Sequence, residues 1–286
     1  MGSSGIKKVL LGNTGKYERI LKTYSTMLSK RYPDRHLSEL FRVMPGKFVS
    51  IGPMSTCDAL LGDLGIMSPD MLLAGIGLIS FHISTYDDIV DETPSSIEDI
   101  AALIYTGNIA LIDGIELLVE SGLNAPLHAA LEEIKKNSYM QQKITGILWK
   151  KSTPKITDYF KGIRHIVSWA SIGPMAALAY AKKDSYSSAV RRFCENYGIA
   201  IQMIDDINEI DEDLENGYWS LPIIEARKKN IDLRKRSRAK TEVLDGFRSE
   251  VIARLVKARA ALPSGWVRLD YKAKMVERYV KNYRFD

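Results

Sequence analysis

Two clusters of carboxylates carry the chemistry this chain could do. The first is Asp87-Asp88-Ile89-Val90-Asp91-Glu92, and the second opens with Asp205-Asp206-Ile207-Asn208-Glu209. On a helix Asp87 and Asp91 share a face, as do Asp88 and Glu92, and like charges at that spacing repel by about 0.2–0.5 kcal/mol per pair. The C-terminal end of a helix adds a further penalty for anions. Residues 205–215 hold seven acids and no base, in a chain whose formal net charge is +5. Basic residues are available, and none is placed here. A hard divalent cation would relieve the repulsion. An all-oxygen donor set suits Mg2+, which keeps some of its waters and commonly bridges to a phosphate group of a substrate.

Each cluster needs an element to hold it. Apolar residues recur at helical spacing along most of the chain, which predicts helices over 14–31, 36–48, 69–92, 97–121, 125–149, 155–182, 185–212, 220–230, 237–261 and 268–284. The only strand-like segment is Val9-Leu10-Leu11. The helices that carry Met71–Tyr86 and Tyr197–Ile204 are apolar on nearly every side, as helices at the centre of a bundle are. Both end in one of the acidic bursts. No long Gly/Ser- or Pro-rich linker divides the chain, so the expectation is an all-α protein with one domain over residues 1–286.

Composition narrows the function. The chain has 286 residues, 45% apolar and 26% charged, which is ordinary globular usage. Its two cysteines, Cys57 and Cys194, exclude a disulfide framework, and a reducing cytosol is the simplest setting. The four histidines (His36, His82, His128 and His165) form no HExxH pair. The apolar run Met71–Phe81 is too short to cross a bilayer, and the first residues lack an apolar signal core. Gly12-Asn13-Thr14-Gly15-Lys16 is not a P-loop, because Tyr17 stands where Ser or Thr is required.

The two acidic segments resemble the paired aspartate-rich motifs of the trans-isoprenyl diphosphate synthase family. Asp87-Asp88-Ile89-Val90-Asp91-Glu92 is similar to the first motif, and Gly198-Ile199-Ala200-Ile201-Gln202-Met203-Ile204-Asp205-Asp206 to the second with its preceding Gln. Asp213-Leu214-Glu215-Asn216-Gly217 and Ser220-Leu221-Pro222 are similar to the family's segment downstream of the second motif, and Gly107 with Ile109–Gly114 to the helix after the first motif. Lys161, twelve residues before Gly173, has the spacing of a family lysine that grips diphosphate. The resemblance implies an all-α bundle around a deep apolar cavity, the isoprenoid synthase type I fold, and a homodimer. It implies Mg2+ held by Asp87, Asp88, Asp91, Asp205, Asp206 and Glu209, with Lys161 and Gln202 at the reacting diphosphate. The substrates it implies are an allylic prenyl diphosphate and isopentenyl diphosphate. Lys47, Arg164 and Tyr86 are further candidates for substrate contact. His82 and Ile83, one turn before Asp87, stand where the family sets the floor of its product cavity, about 6 Å down the helix.

Departures from the pattern fall on the isopentenyl diphosphate side. The family's Gly-Gly-Lys-Arg-x-Arg-Pro run reads Pro45-Gly46-Lys47-Phe48-Val49-Ser50 here, which keeps Lys47 and loses two arginines. The arginine pair that usually comes after the first motif is replaced by Thr93-Pro94-Ser95. Neither Phe nor Ser can replace a bidentate guanidinium. Two other readings therefore stand beside chain elongation. One is a cyclase or an altered coupling enzyme on the same metal site. The other is a non-catalytic helical subunit. The run 227–240 has eight basic residues and one acid, and reads as a solvated loop, a cationic lid or a contact with anionic membrane. Aromatic residues do not interleave it, which argues against nucleic acid.

Overall fold

The structure is a computed structural model. It describes residues 15–33, 35–44, 48–91, 96–148, 153–235 and 238–282. Val9–Leu11 therefore lies outside the described residues, as do Lys47 and Glu92. The described residues form helices and turns, with no strand among them, as the periodicity predicts. Their contacts sort the chain into two compact units. One comprises residues 11–133 with 171–187, and the other residues 1–10, 134–170 and 188–286.

In the first unit the helices are α1 (Gly15–Arg31), α2 (Arg35–Val43), α3 (Phe48–Asp63), α4 (Asp70–Asp91) and α5 (Ile97–Glu120), with the start of α6 (Asn124–Leu148). The helix α8 (Ile172–Ala181) joins them from later in the chain. The helix α4 packs along α5 and also against α1 and α3. Its residues 72–81 are all buried. The start of α5 is fixed by Ser96, whose hydroxyl accepts the Asp99 N–H at 3.1 Å, and by Glu98 and Asp99 in the positive first turn. Gly122, at φ 70°, takes the left-handed conformation just past its end.

The periodicity does not predict α3. Gly52-Pro53 lies inside it and reads as a helix breaker, yet residues 52–57 are buried throughout. With every face covered, the sequence offers no polar side to mark a helical period, and tertiary packing outweighs the cost of an interior proline. Close packing also explains Gly173. A Cβ there would overlap the Pro53 carbonyl, so α8 approaches α3 through a glycine.

In the second unit the expected helix over 155–182 begins as α7 (Ile156–Ile166) and turns 3-10 over Val167–Ser171, before α8 opens in the first unit. The helices α9 (Ser187–Asn208), α10 (Ile210–Asn216), α11 (Leu221–Lys228), α12 (Arg238–Ala260) and α13 (Arg268–Asn282) complete it. Most of α9 from Tyr197 to Ile207 is buried, and Tyr197 stacks on Phe193 with ring centroids 5.3 Å apart. Arg259 joins α12 to α13 through Asp270 at 2.7 Å and Glu277 at 3.1 Å.

Candidate functional site

In the first unit, helical backbone continues through Asp91, so Asp87, Asp88 and Asp91 all stand on the last turns of α4. Their side chains lie outside the described residues. One turn earlier, His82 and Ile83 are half-buried and Tyr86 is exposed. The rings of His82 and Tyr86 meet edge-on, 4.7 Å apart. Burial lowers the His82 pKa, opposed by a hydrogen bond to the Gly107 backbone, so the imidazole is neutral near pH 7. Gly107 is required by close approach: a Cβ there would collide with the Thr85 hydroxyl. The glycine thus lets α5 lie tightly on α4 two residues before the first acid.

In the second unit, α9 delivers the second cluster. The helix is interrupted at Glu209, but Glu209 N–H still donates to the Asp205 carbonyl at 2.9 Å and Asp213 N–H to that of Glu209 at 2.8 Å. The four-residue spacing of Asp205, Glu209 and Asp213 survives the break. Gly217, at φ 74°, closes α10 with its N–H on the Asp213 carbonyl. This is the physical reason for glycine in Asp213-Leu214-Glu215-Asn216-Gly217.

The adjacent aspartates differ. Asp205 is half-buried, whereas Asp206 is only 8% exposed. Asp206 Oδ2 accepts the Tyr159 hydroxyl of α7 at 2.5 Å and the Leu221 N–H at 3.3 Å, and Gln202 adds its side chain. Leu221 opens α11, so Asp206 satisfies one of that helix's free N–H groups and meets its positive end. Burial pushes the Asp206 carboxyl up to about 7, against the pull of those hydrogen bonds. The sequence pattern does not single out Tyr159. Its place in the register Ile156, Tyr159, Phe160, Ile163 signals burial, but nothing local reveals where its hydroxyl goes. Burial raises its phenol well above the ordinary value, and the charges of Asp206, Asp213 and Asp205 add to this. Asp213 is likewise raised, by burial and by Glu212.

The cationic candidates separate. Lys161 is exposed and has no partner among the described residues. Arg164 is exposed too, but forms an ion pair with Glu195 at 2.7 Å. In the basic run, Arg227 lies over the Trp219 ring at 4.1 Å, while Lys229, Lys235 and Arg238 pair with Glu225, Asp232 and Glu242. Cys57 and Cys194 are both buried.

Among the described residues no three His, Cys, Asp or Glu side chains converge as a ready metal-ligand set. The donor chemistry nonetheless fits a hard cation. Asp205, Asp206 and Asp213 all raise the Tyr159 phenol, which marks a negative potential at the end of α9. An incomplete set of carboxylates is also what an ion shared with a phosphate group requires.

Comparisons with known proteins give the fold. No family model matches the chain, and no curated protein matches its sequence. Solved structures do match. A decaprenyl diphosphate synthase from Rhodobacter capsulatus is 16% identical with a TM-score of 0.67, over 96% of this chain and 99% of that one. A polyprenyl synthase from Caulobacter crescentus, complexed with calcium and isoprenyl diphosphate, is 19% identical with a TM-score of 0.65, over 93% and 98%. A geranylgeranyl pyrophosphate synthetase from the archaeon Geoglobus acetivorans is 15% identical with a TM-score of 0.62, over 99% and 100%. The chain has the all-α fold of the trans-isoprenyl diphosphate synthases.

Proposed function

We propose that this chain is a Mg2+-dependent prenyltransferase that elongates an allylic prenyl diphosphate with isopentenyl diphosphate and releases diphosphate. The observation that carries the reading is the concentration of acids at the end of α9, where three carboxylates act on one buried phenol in a chain of net charge +5. This reading assigns Mg2+ ligation to Asp87, Asp88 and Asp91 on α4 and to Asp205, Asp206 and Glu209 at the end of α9. Bound Mg2+ supplies neutralisation of the departing diphosphate. The chain's own residues supply the remainder. Lys161, exposed and with no partner among the described residues, is available to a diphosphate oxygen. The apolar turns of α4 leading to Asp87 suit a prenyl tail and exclude the water that would quench an allylic cation. His82 and Ile83 set the depth to which the tail reaches.

A homodimer and a cytosolic setting belong to the same reading. The support for the dimer is α5, which carries Ile97, Tyr105, Ile112 and Val119 at 84%, 62%, 54% and 49% exposure. The last three recur every seven residues, the spacing of a helix–helix seam. This helix is also the one described helix long and apolar enough to cross a membrane. A helix of the second copy would cover its stripe without a bilayer.

The lost arginines at Phe48 and Ser50 favour a second reading, in which the allylic diphosphate is ionised and then cyclised or coupled without isopentenyl diphosphate. Pyrophosphate release from geranyl and farnesyl diphosphate with Mg2+, with and without isopentenyl diphosphate, separates the two. Longer diphosphates in the mass spectrum support elongation. Hydrocarbon or alcohol formed from the allylic substrate alone supports the second reading. No release from any substrate, with Asp205→Asn behaving like the unaltered chain, would remove both.

A further inference from the structure

The basic run that follows α11 is built into a fixed turn. Residues 225–242 hold eight bases and three acids, a surplus of five that equals the formal net charge of the whole chain. The positive charge is thus concentrated in one short segment, and the remainder of the chain is balanced. Asn230, at φ 55°, takes the left-handed conformation past the end of α11. Its N–H donates to the Arg227 carbonyl at 3.1 Å, and the Ile231 N–H to that of Ala226 at 2.8 Å, which closes the helix. Asp232 Oδ1 accepts the Arg234 N–H at 3.1 Å, and Leu233, 3% exposed, anchors the turn in the core. The bases face the other way: Arg227, Lys228, Lys229, Arg234, Lys235 and Arg238 are all exposed. A merely solvated loop would need none of these anchors.

We propose that this turn is a docking surface for the anionic face of a lipid bilayer. The acids within it leave its charge available. Lys229, Lys235 and Arg238 meet Glu225, Asp232 and Glu242 in exposed pairs three or four residues apart, and such pairs are weak. Lys228 has no ion pair among the described residues. Arg234 donates to the Leu214 carbonyl of α10 at 3.4 Å, a contact that neutralises no charge. Each base held at an anionic bilayer strengthens binding about fivefold, so the surplus acts without a shaped pocket. Trp219 is half-buried beside the turn, with Arg227 over its ring at 4.1 Å. An amphipathic ring among basic side chains suits the headgroup layer of a membrane. A ring already covered by a guanidinium is a poor stacking platform for a nucleic-acid base. Asp211, Glu212 and Glu215 on α10 are exposed as well. An anionic surface repels them while it attracts the turn, which fixes how the chain faces the lipid. The use of such a surface rests on the prenyltransferase reading. A product with a diphosphate head and a long hydrocarbon tail leaves more readily into a bilayer than into water, and its tail together with a polybasic surface makes the two signals that stable anchoring needs.

The test is co-sedimentation of the full chain with lipid vesicles in EDTA, which needs no turnover. Phosphatidylcholine vesicles with about one third phosphatidylserine should carry the chain down, whereas phosphatidylcholine alone should not. Raising NaCl from about 0.1 M to about 0.5 M should release it. Lys228→Gln combined with Lys235→Gln removes two exposed charges far from the proposed ligands in sequence. It should weaken binding about twentyfold, with the circular dichroism spectrum unchanged, and Lys228→Arg combined with Lys235→Arg should bind like the unaltered chain. The proposal is overturned if phosphatidylcholine alone binds as well, if the Gln pair loses nothing, or if no vesicle binds, whether or not duplex DNA does. Release of the chain from vesicles by micromolar pyrophosphate would also overturn it, because the bases would then serve the diphosphate as a lid. Vesicle binding without any prenyl transfer is a separate outcome, which would remove the prenyltransferase reading and leave the surface standing.

Discussion

The buried acid at position 206 makes folding stability depend on pH in an unusual direction. The Asp206 carboxyl titrates near 7 in the folded chain, against an ordinary 3.8, because burial disfavours its charged form. Between those values the folded state keeps a proton that the unfolded chain has lost, so stability falls as pH rises through the window. Above pH 7 the cost levels off. At about 1.4 kcal/mol per pH unit, the two units from pH 5 to pH 7 amount to about 3 kcal/mol. In a chain of this size that corresponds to roughly 5 °C in melting temperature. Asp206→Asn removes the titration and keeps a hydrogen-bond acceptor in place. The expected result, in thermal denaturation with EDTA present, is that the Asn variant gains on the unaltered chain by about that amount between pH 5 and pH 8. Other groups also titrate. His82, lowered by burial, opposes the trend in the unaltered chain, whereas Asp58, Asp270 and Glu277, held low by their partners, change stability only below their ordinary values and so outside the pH 5–8 window. They are common to both proteins and cancel in the difference. A gap that is the same at pH 5 and pH 8 would refute the argument that position 206 carries a buried, protonatable acid.

Three further outcomes rest on other contacts. Gly107→Val should destabilise the chain by about 1–3 kcal/mol, through overlap with Thr85, and Thr85→Ala should recover part of that loss in chemical denaturation. Ile112→Glu puts a charge in the middle of the exposed α5 stripe, so if the proposed dimer forms through that stripe, light scattering should show a dimer for the unaltered chain and a monomer for the variant, with the circular dichroism spectrum unchanged. His82→Ala should lengthen the main product by about one isoprene unit, read by mass spectrometry, whereas His82→Trp should shorten it; unchanged products from both would remove the histidine from the cavity floor.

Much of this architecture is legible in the sequence because the relevant physics is local. The helix expected over 69–92 runs from Asp70 to Asp91, and the one expected over 185–212 contains α9, because apolar spacing, Ser96, Gly122 and Gly217 act over one or two turns. The acidic clusters are visible for the same reason: the repulsion that makes them costly is between residues one turn apart. What stays hidden depends on distant partners. The helix α3 is concealed by being buried on all sides, and the close approach of Gly173 to Pro53 joins residues 120 positions apart. Tyr159 meets Asp206 across 47 positions, and Leu221 meets it across 15.

The division of the acid pair is a consequence of helix geometry acting on a buried helix. Successive side chains diverge by about 100°, so two adjacent acids at the end of a helix with one covered face cannot share an environment. One must turn toward the core, and a carboxylate there is tolerable only with donors or a proton. Asp206 has both: three hydrogen-bond donors and a carboxyl raised to about 7. Its neighbour Asp205 stays half-buried. A repeated letter in the sequence therefore encodes two environments, and the donors that the fold supplies decide which acid is held inward.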